Sequence, residues 1–449
     1  MPFPLDPARL LRAARATGPP AHRLRVAVTV LFALDGAVFG SWAARIPDVA
    51  ARTGADATAL GLALLCVSLG ALASMQLTGA LCARLGAGLV GAASAVLLGL
   101  TAALPGLSTT VPELAVALVV FGAATGCVNV AANSLGVEVE RRAARPVLAP
   151  MHAAFSLGGL AGAAVGGLVA GTAPAPHLIA VGAVGLLVAA AIAPTLLAGD
   201  APRRPASQRS APARGPRPLL VALGLIAGCT AFGEGAFTDW GALHLRDTLG
   251  ASPAAAAAGY ATFSAAMAVG RLTGGRLARA LGDTQLLAGG SLVAALGVVA
   301  AVATPSVPVA LAGFALVGLG LANVFPLAVA RAGALGGSGG VALASTVGYT
   351  GLLGGPPVIG LLAGGAGIAT ALSTVAVLSL VGAGIALAIG TGRAADLTRT
   401  AAARVGTAAR PVAAPPTPLH GRLPDSPYSR SYRDVLGVLN GARTATVPA

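Results

Sequence analysis

The sequence has little charge, few aromatic residues, four cysteines and no lysine. Charged residues make up 10% of the chain and hydrophobic residues 56%, which is more apolar surface than a soluble domain can bury. The cysteines show no C-x-x-C or Cys/His spacing, so neither a disulfide framework nor a metal site is indicated. A Walker loop and a Ser-His-Asp order are also absent, which leaves an ATP-driven pump and an intramembrane hydrolase without support. We therefore predict a membrane protein that is not an enzyme and needs no cofactor or metal.

The chain consists largely of apolar segments separated by short hinges. Twelve segments come close to the ~20 residues that a bilayer requires: residues 24–46, 58–82, 88–108, 112–136, 147–171, 176–198, 218–244, 254–280, 284–303, 306–330, 340–364 and 367–391. With the N-terminus in the cytoplasm, only Arg45, Arg52 and Arg246 fall on the outer side. The positive-inside rule predicts such a bias. We therefore attribute the net charge of +14 to arginines at the cytoplasmic face of a cell (inner) membrane and not to nucleic-acid binding. Both termini are predicted to be cytoplasmic.

Polar stretches rich in Pro and Arg divide the chain into five parts. The expected organisation is a disordered cytoplasmic leader, an N-terminal six-helix bundle, a cytoplasmic linker, a C-terminal six-helix bundle and a disordered cytoplasmic tail, at residues 1–23, 24–198, 199–217, 218–391 and 392–449. Within the tail, residues 432–439 could form a helical turn on the membrane surface.

The two halves resemble each other. Each begins with an acid–Gly–Ala triplet that is followed by Trp and Arg, at residues 35–37 with Trp42 and Arg45, and at residues 234–236 with Trp240 and Arg246. Each half also has a Gly-rich basic hinge roughly 35 residues after its Trp, at residues 79–86 and 275–282. A duplicated bundle with an acidic residue inside each leading helix is typical of a secondary transporter.

Asp35 and Glu234 are the predicted proton-coupling residues. Asp35 lies in the middle of the first span, where an ionised carboxylate costs at least about 2.5 kcal/mol. It must face a polar cavity, form a pair or carry a proton; a structural bond to a neighbouring helix is the alternative. Glu234 occupies the corresponding place in the seventh span, where it could titrate, bind substrate or anchor a helix. Asp239 lies nearer the outer surface and is predicted to be structural or, with Arg45, part of a gate.

Three amides and two indoles form the predicted substrate-binding set. Asn129 and Asn133 are four residues apart and share one helix face, where two amides could bind a polyhydroxylated or zwitterionic ligand. Asn323 repeats the theme in the tenth span. Transmembrane Asn also joins helices to each other, so both interpretations stay open. Trp42 and Trp240 complete the set, and His152 could be a structural hydrogen-bonding residue or a proton relay.

The hinge Gly79-Ala-Leu-Cys-Ala-Arg84-Leu-Gly86 resembles the signature G-x-L-x-D-R-x-G of the major facilitator superfamily, with Ala83 at the position of the Asp. The resemblance covers roughly residues 24–391. It implies an all-α membrane protein with twelve transmembrane helices in two pseudo-symmetric six-helix bundles, the major facilitator fold. It also implies a gating role for Arg84 and, in the second hinge, for Arg279.

Two further resemblances point in different directions. Residues 40–47 and 234–240 resemble a bacterial branch near the fucose permeases, which are proton-coupled sugar importers with an acidic residue in the first helix. Their fourth-helix E-x-A-A-N stretch resembles residues 129–133, where Asn129 replaces the Glu. Residues 158–167 resemble the fifth-helix antiporter motif G-x-x-x-G-P-x-x-G-G, with Ala163 at the position of the Pro.

We predict a secondary transporter that moves a small polar solute, sugar-like by the resemblance, by alternating access coupled to protons. The low aromatic content of 4% favours a small polar ligand over a lipophilic drug. Two alternatives remain: a proton antiporter that exports a drug or metabolite, and a transporter-derived membrane sensor that acts through its tail. The expected partners are the small-molecule solute, protons and the lipid bilayer, with no nucleic acid, and the protein is expected to be a monomer.

Overall fold

The computed structural model describes residues 21–143, 147–170, 172–199 and 216–408, without the side chains of residues 338 and 392–408. These residues form helices α1 to α12, at Ala21–Thr53, Ala57–Leu85, Ala87–Thr101, Val111–Ala143, Leu148–Leu168, Pro174–Ala198, Arg217–Leu243, Pro253–Leu281, Asp283–Val302, Val307–Leu321, Val324–Ala366 and Ile368–Ala408. A short helix, Leu104–Leu107, follows α3, and a π-helix, His244–Thr248, follows α7.

Eleven segments of the described chain are long and apolar enough to cross a membrane. Helix α8 is not among them, although its 29 residues make it as long as its neighbours, because it is built mainly from Ala and Gly and carries three arginines. Helix α11 contributes to two segments, since Gly337 interrupts it with a φ of 62° and a ψ of −150°. The predicted all-α membrane fold is confirmed, and its helix count differs from the predicted twelve only at α8.

The predicted parts of the chain are described unevenly. Most of the leader, most of the linker and residues 409–449, including the predicted surface turn at 432–439, lie outside the described residues. Helix α12 extends to Ala408 and thus into the predicted tail. The chain divides into two compact units, with the boundary between Arg393 and Ala394.

Side chains and glycines set the helix boundaries in the same way in both halves. The Asp56 carboxylate accepts a hydrogen bond from the backbone N–H of Ala59 at 2.7 Å and caps α2, while the Ser252 hydroxyl caps α8 through Ala255. Gly86 ends α2 with a φ of 100° and Gly282 ends α8 with a φ of 82°, a conformation that favours glycine. These two glycines close the two repeated hinges of the sequence.

Glycines bring the helices of each half into close contact. A Cβ on Gly36 or Gly40 of α1 would overlap the backbone of α5 at Phe155 or Gly159. In the second half, Gly351 of α11 has the same relation to Gly228 of α7. Small residues let membrane helices associate by backbone packing. The glycine-rich stretch of α5 that resembles an antiporter motif therefore has a packing function.

The helix pairs of the two halves correspond. Helix α1 packs on α5 and α2 on α4 in the first half, while α7 packs on α11 and α8 on α10 in the second. Across the halves, α5 packs on α8 and α2 on α11. A cavity lies between these two contacts.

Candidate functional site

A cavity of about 310 Å³ lies between the halves. Its wall consists of residues from α1, α2, α4 and α5 on one side, and from α7, α8 and α11 on the other. Such a volume falls at the small end of the range for ligand sites. Both halves thus supply polar side chains that face a cavity, which is one of the places where a membrane interior tolerates them.

Asp35 lies in the cavity wall on α1, together with Phe32 and Phe39. The three residues share one helix face, because they are spaced three and four residues apart. Asp35 is only 4% exposed, and its Oδ1 atom is buried with no hydrogen-bond partner among the described residues. The predicted coupling residue is therefore a buried carboxyl group with an unsatisfied oxygen.

Glu234 lies in the facing wall on α7 and forms an ion pair with Arg271 of α8. Arg271 Nη2 is 3.7 Å from Glu234 Oε2, and Arg271 Nη1 donates a hydrogen bond of 2.8 Å to the hydroxyl of Ser156 on α5. Arg271 thus connects the predicted acid to the first half. From the sequence, Arg271 was predicted only to be an arginine on the inner side of the membrane. Its helical spacing from Tyr260 and Ser264 places the three residues on one face of α8, and this spacing could have identified Arg271 as a cavity residue.

The amides of α4 have different roles. Asn129 lines the cavity, as predicted for a ligand-binding residue. Asn133 is absent from the lining; its side chain donates to the Asn129 carbonyl at 2.8 Å and its Oδ1 accepts from His152 Nε2 at 3.2 Å. His152 itself lines the cavity and stacks edge-on against Phe32 at 5.0 Å. Asn133 therefore orients a cavity residue without facing the ligand space.

Other predicted site residues lie away from the cavity. The Asn323 amide donates to the Gly270 carbonyl at 2.8 Å and joins the start of α11 to α8. Trp42 and Trp240 are each 1% exposed, and Trp42 packs against Phe121 at 6.3 Å. Arg84 and Arg279 are exposed near the ends of α2 and α8. Of the predicted site residues, four line the cavity in this conformation: Asp35, Asn129, Glu234 and Asp239.

Aromatic side chains are concentrated in the cavity wall. Five of them line it: Phe32, Phe39, Phe155, Tyr260 and Phe263. The chain as a whole is poor in aromatic residues, but this composition does not describe the site. The argument that low aromatic content favours a small polar ligand over a lipophilic one is therefore wrong for this cavity.

Arg45 is the centre of a buried polar cluster near the end of α1. It is 0% exposed and makes four hydrogen bonds. Its Nη1 donates to Asp48 Oδ2 at 2.7 Å and its Nε to His177 Nδ1 at 3.2 Å. Its Nη2 donates to the Val169 carbonyl at 3.1 Å and to the Thr172 hydroxyl at 3.0 Å. Arg45 thus ties α1 to α6 and to the end of α5, all within the first half.

Asp48 connects this cluster to the second half. Its other oxygen, Oδ1, accepts a hydrogen bond from Arg246 Nη1 at 3.0 Å, and Arg246 lies in the π-helix after α7. The two arginines that the sequence repeat paired, Arg45 and Arg246, thus bind the two oxygens of one carboxylate. The sequence analysis missed Asp48, although its position three residues after Arg45 on a helix was the local signal.

The halves also approach each other closely at the end of the bundle that carries Asp48. A Cβ on Gly61 of α2 would overlap Pro356 and Gly360 of α11. Gly167 of α5 packs against Ala254 and Ala257 of α8. Asp48 and these contacts close the space between the halves at this end of the helices.

Comparisons with known proteins agree on the fold. The family model of the Major Facilitator Superfamily matches residues 27–332. An uncharacterized MFS-type transporter of Yersinia pestis is 35% identical over 377 residues, 81% of this chain and 95% of the relative. The membrane protein MosC of Rhizobium meliloti is 30% identical over 357 residues, 79% of this chain and 87% of the relative.

Two solved structures have a similar architecture. A bacterial homolog of the human lysosomal transporter Spinster, in an inward-facing and occupied conformation, aligns with a TM-score of 0.66 at 16% identity, over 82% of this chain and 96% of that chain. The nucleoside transporter NupG aligns with a TM-score of 0.60 at 15% identity, over 81% and 98% of the two chains. At such low identities these structures speak for the fold alone.

Proposed function

The chain belongs to the major facilitator superfamily of membrane transporters, and we propose that it moves a small polar solute across the membrane in a cycle coupled to protons. The observation that carries this proposal is Asp35, whose buried carboxyl group lines the cavity and has one oxygen without a hydrogen-bond partner among the described residues. An ionised carboxylate without a partner is costly in such a place. Binding a proton removes that cost. Water or solute in the cavity would also reduce it, so we expect the protonation state of Asp35 to change as the cavity fills and empties.

Glu234 and Arg271 are the proposed second element of coupling. Their separation of 3.7 Å is long for a tight ion pair, so a solute group could replace either partner. Arg271 also holds Ser156 of the first half. A solute that draws Arg271 away from Ser156 would loosen a contact between the halves. Binding and conformational change are thereby linked through one side chain.

Alternating access requires that the closed end opens. At that end Asp48 and Arg246 join the halves, and the contacts of α2 with α11 support the closure. We place the N-terminus in the cytoplasm and the chain in the inner membrane, and in that orientation this end faces outward and is closed. The solute would enter or leave through the opposite end, after which the Arg246–Asp48 contact breaks. The motifs shared with the fucose permeases support placing the chain near that branch.

Proton antiport with export is the second candidate. The five aromatic side chains of the cavity wall support it, because aromatic rings bind apolar and cationic drugs. Symport and antiport differ in the direction of proton movement relative to the solute. Both use Asp35 as the proton-binding group.

The test is transport into proteoliposomes of defined orientation with an imposed pH gradient. We expect Asp35→Asn to lose pH-driven accumulation of the solute while it still exchanges labelled for unlabelled solute. Glu113→Gln is the matched control, because Glu113 is an exposed carboxylate at the start of α4 that lies outside the cavity and accepts hydrogen bonds from Thr109. Full pH-driven accumulation by Asp35→Asn would refute the coupling assignment.

A further inference from the structure

Negative charge exceeds positive charge in the cavity wall. Three carboxyl groups line it, Asp35, Glu234 and Asp239, and Arg271 is the one arginine among the described lining residues. The contact between Glu234 and Arg271 balances one carboxylate. Asp35 and Asp239 have no cationic partner of this kind among the ion pairs of the described residues. A neutral solute would leave this imbalance uncompensated.

Asp239 is placed to meet the charge of a ligand. It follows Glu234 by five residues on α7, lines the cavity and is partly buried. Under the proposed function the more deeply buried Asp35 carries the proton and Asp239 is ionised. Glu234 and Arg271 offset each other. One net negative charge then remains in the cavity, at Asp239. One positive charge on the solute completes the balance.

The wall around these carboxyl groups suits an organic cation. Phe32 and Phe39 lie one helical turn before and after Asp35 on the cavity face of α1. Tyr260 and Phe263 of α8, with ring centroids 6.2 Å apart, form part of the facing wall. The face of an aromatic ring attracts an ammonium group, and more strongly where water is excluded. A metal ion would instead need several oxygen ligands converging at short distances, and no such cluster of His, Cys, Asp and Glu occurs in the described residues.

We propose that the transported solute is a small organic cation, a protonated amine or a quaternary ammonium, held by Asp239 and by the aromatic wall of the cavity. This inference rests on the proposed function and specifies its substrate class. The cavity volume of about 310 Å³ admits one small molecule. Asp35 remains the proton site, so the solute and the proton occupy different carboxyl groups.

The test compares cations with their neutral counterparts. Purified full-length protein is titrated with three matched pairs: choline and 3,3-dimethylbutanol, glucosamine and glucose, and benzylamine and benzyl alcohol. The readout is the increase in the unfolding temperature, which reports binding to the folded protein. We expect the ammonium member of at least one pair to act at ~tenfold lower concentration than its neutral partner, as a desolvated charge pair allows. Asp239→Asn should remove this difference, and Glu113→Gln should preserve it.

Two results of the binding test would overturn the proposal. One is that no ammonium compound stabilises the protein more than its neutral partner. The other is that Asp239→Asn keeps the full difference. A neutral compound that accumulates with the pH gradient would refute the cationic substrate and leave proton-coupled transport standing. A cation that binds through Asp239 but does not move with a pH gradient would refute the proposed coupling and retain the binding site.

Discussion

Removing the Arg246 side chain should open the end of the bundle that Asp48 closes. The substitution Arg246→Gln breaks the contact of Arg246 Nη1 with Asp48 Oδ1, which measures 3.0 Å. It leaves Arg45 with its partner, since Arg45 binds the other oxygen of Asp48. The substitution therefore separates the link between the halves from the cluster within the first half. Asp48→Asn would not do so, because it would also leave the buried guanidinium of Arg45 without its counter-ion.

The exposure of the partners sets the size of the effect. The side chains of Arg246 and Asp48 are 31% and 22% exposed, and such partly solvated pairs contribute about 1 kcal/mol at most. Losing that amount from the closed state changes the ratio of closed to open molecules about fivefold. Asp48→Asn should instead cost about 3 kcal/mol of folding stability, in the range for removing one partner of a buried pair.

The assay is a distance measurement between spin labels on the two halves. Labels are attached at Arg52→Cys and Thr248→Cys, both exposed at the closed end, in a background without the four native cysteines. We expect Arg246→Gln to increase the population with a long distance. Asp247→Asn is the control. Asp247 is the next residue in the chain, its carboxylate comes no closer than 4.0 Å to the Arg246 guanidinium, and this contact lies within the second half. A distance distribution that Arg246→Gln leaves unchanged would refute the gating role of this contact.

Two further substitutions test packing and the predicted site. Gly36→Ala places a Cβ against the Phe155 carbonyl and should destabilise the protein by about 1–3 kcal/mol, which lowers the midpoint of thermal unfolding. In the control Gly79→Ala the new Cβ meets nothing within 4 Å, so the midpoint should not change. Equal midpoints for both variants would contradict the close-packing argument. Trp42→Phe should leave the apparent affinity for solute unchanged, because Trp42 is buried against Phe121 and its indole nitrogen has no partner in the described residues; a weaker affinity in transport assays would restore its predicted role in substrate binding.

Properties that depend on one helix at a time were predictable from the sequence. The cost of a carboxylate in the middle of an apolar span identified Asp35, and the same reasoning identified Glu234. The repeated hinges indicated where α2 and α8 end, although the helices continue beyond the predicted ends at residues 82 and 280, to Leu85 and Leu281. Gly86 and Gly282 then stop them, because these glycines adopt backbone angles that other residues avoid. Within α4, helical spacing placed Asn129 and Asn133 on one side, and Asn133 Nδ2 lies 3.4 Å from Asn129 Oδ1.

Properties that depend on how helices rotate and approach each other were not predictable. Asp48 and Arg246 are 198 residues apart, and the π-helix at His244–Thr248 changes the direction in which Arg246 points. No periodicity in the sequence encodes that contact. Arg271 looked like an inner-side charge, yet its long side chain reaches Glu234 and Ser156. Trp42 and Trp240 looked like ligand-binding residues, but rotation of their helices places both in packed interiors.

The most direct test of proton coupling through Asp35 is a measurement of proton movement itself. Proteoliposomes that contain a pH-sensitive dye receive the solute without any imposed gradient. We predict that solute flux through the natural protein changes the internal pH, and that Asp35→Asn carries the same solute by exchange with no change in pH. Proton movement of equal size in Asp35→Asn, or solute flux through the natural protein with no pH change, would contradict the account.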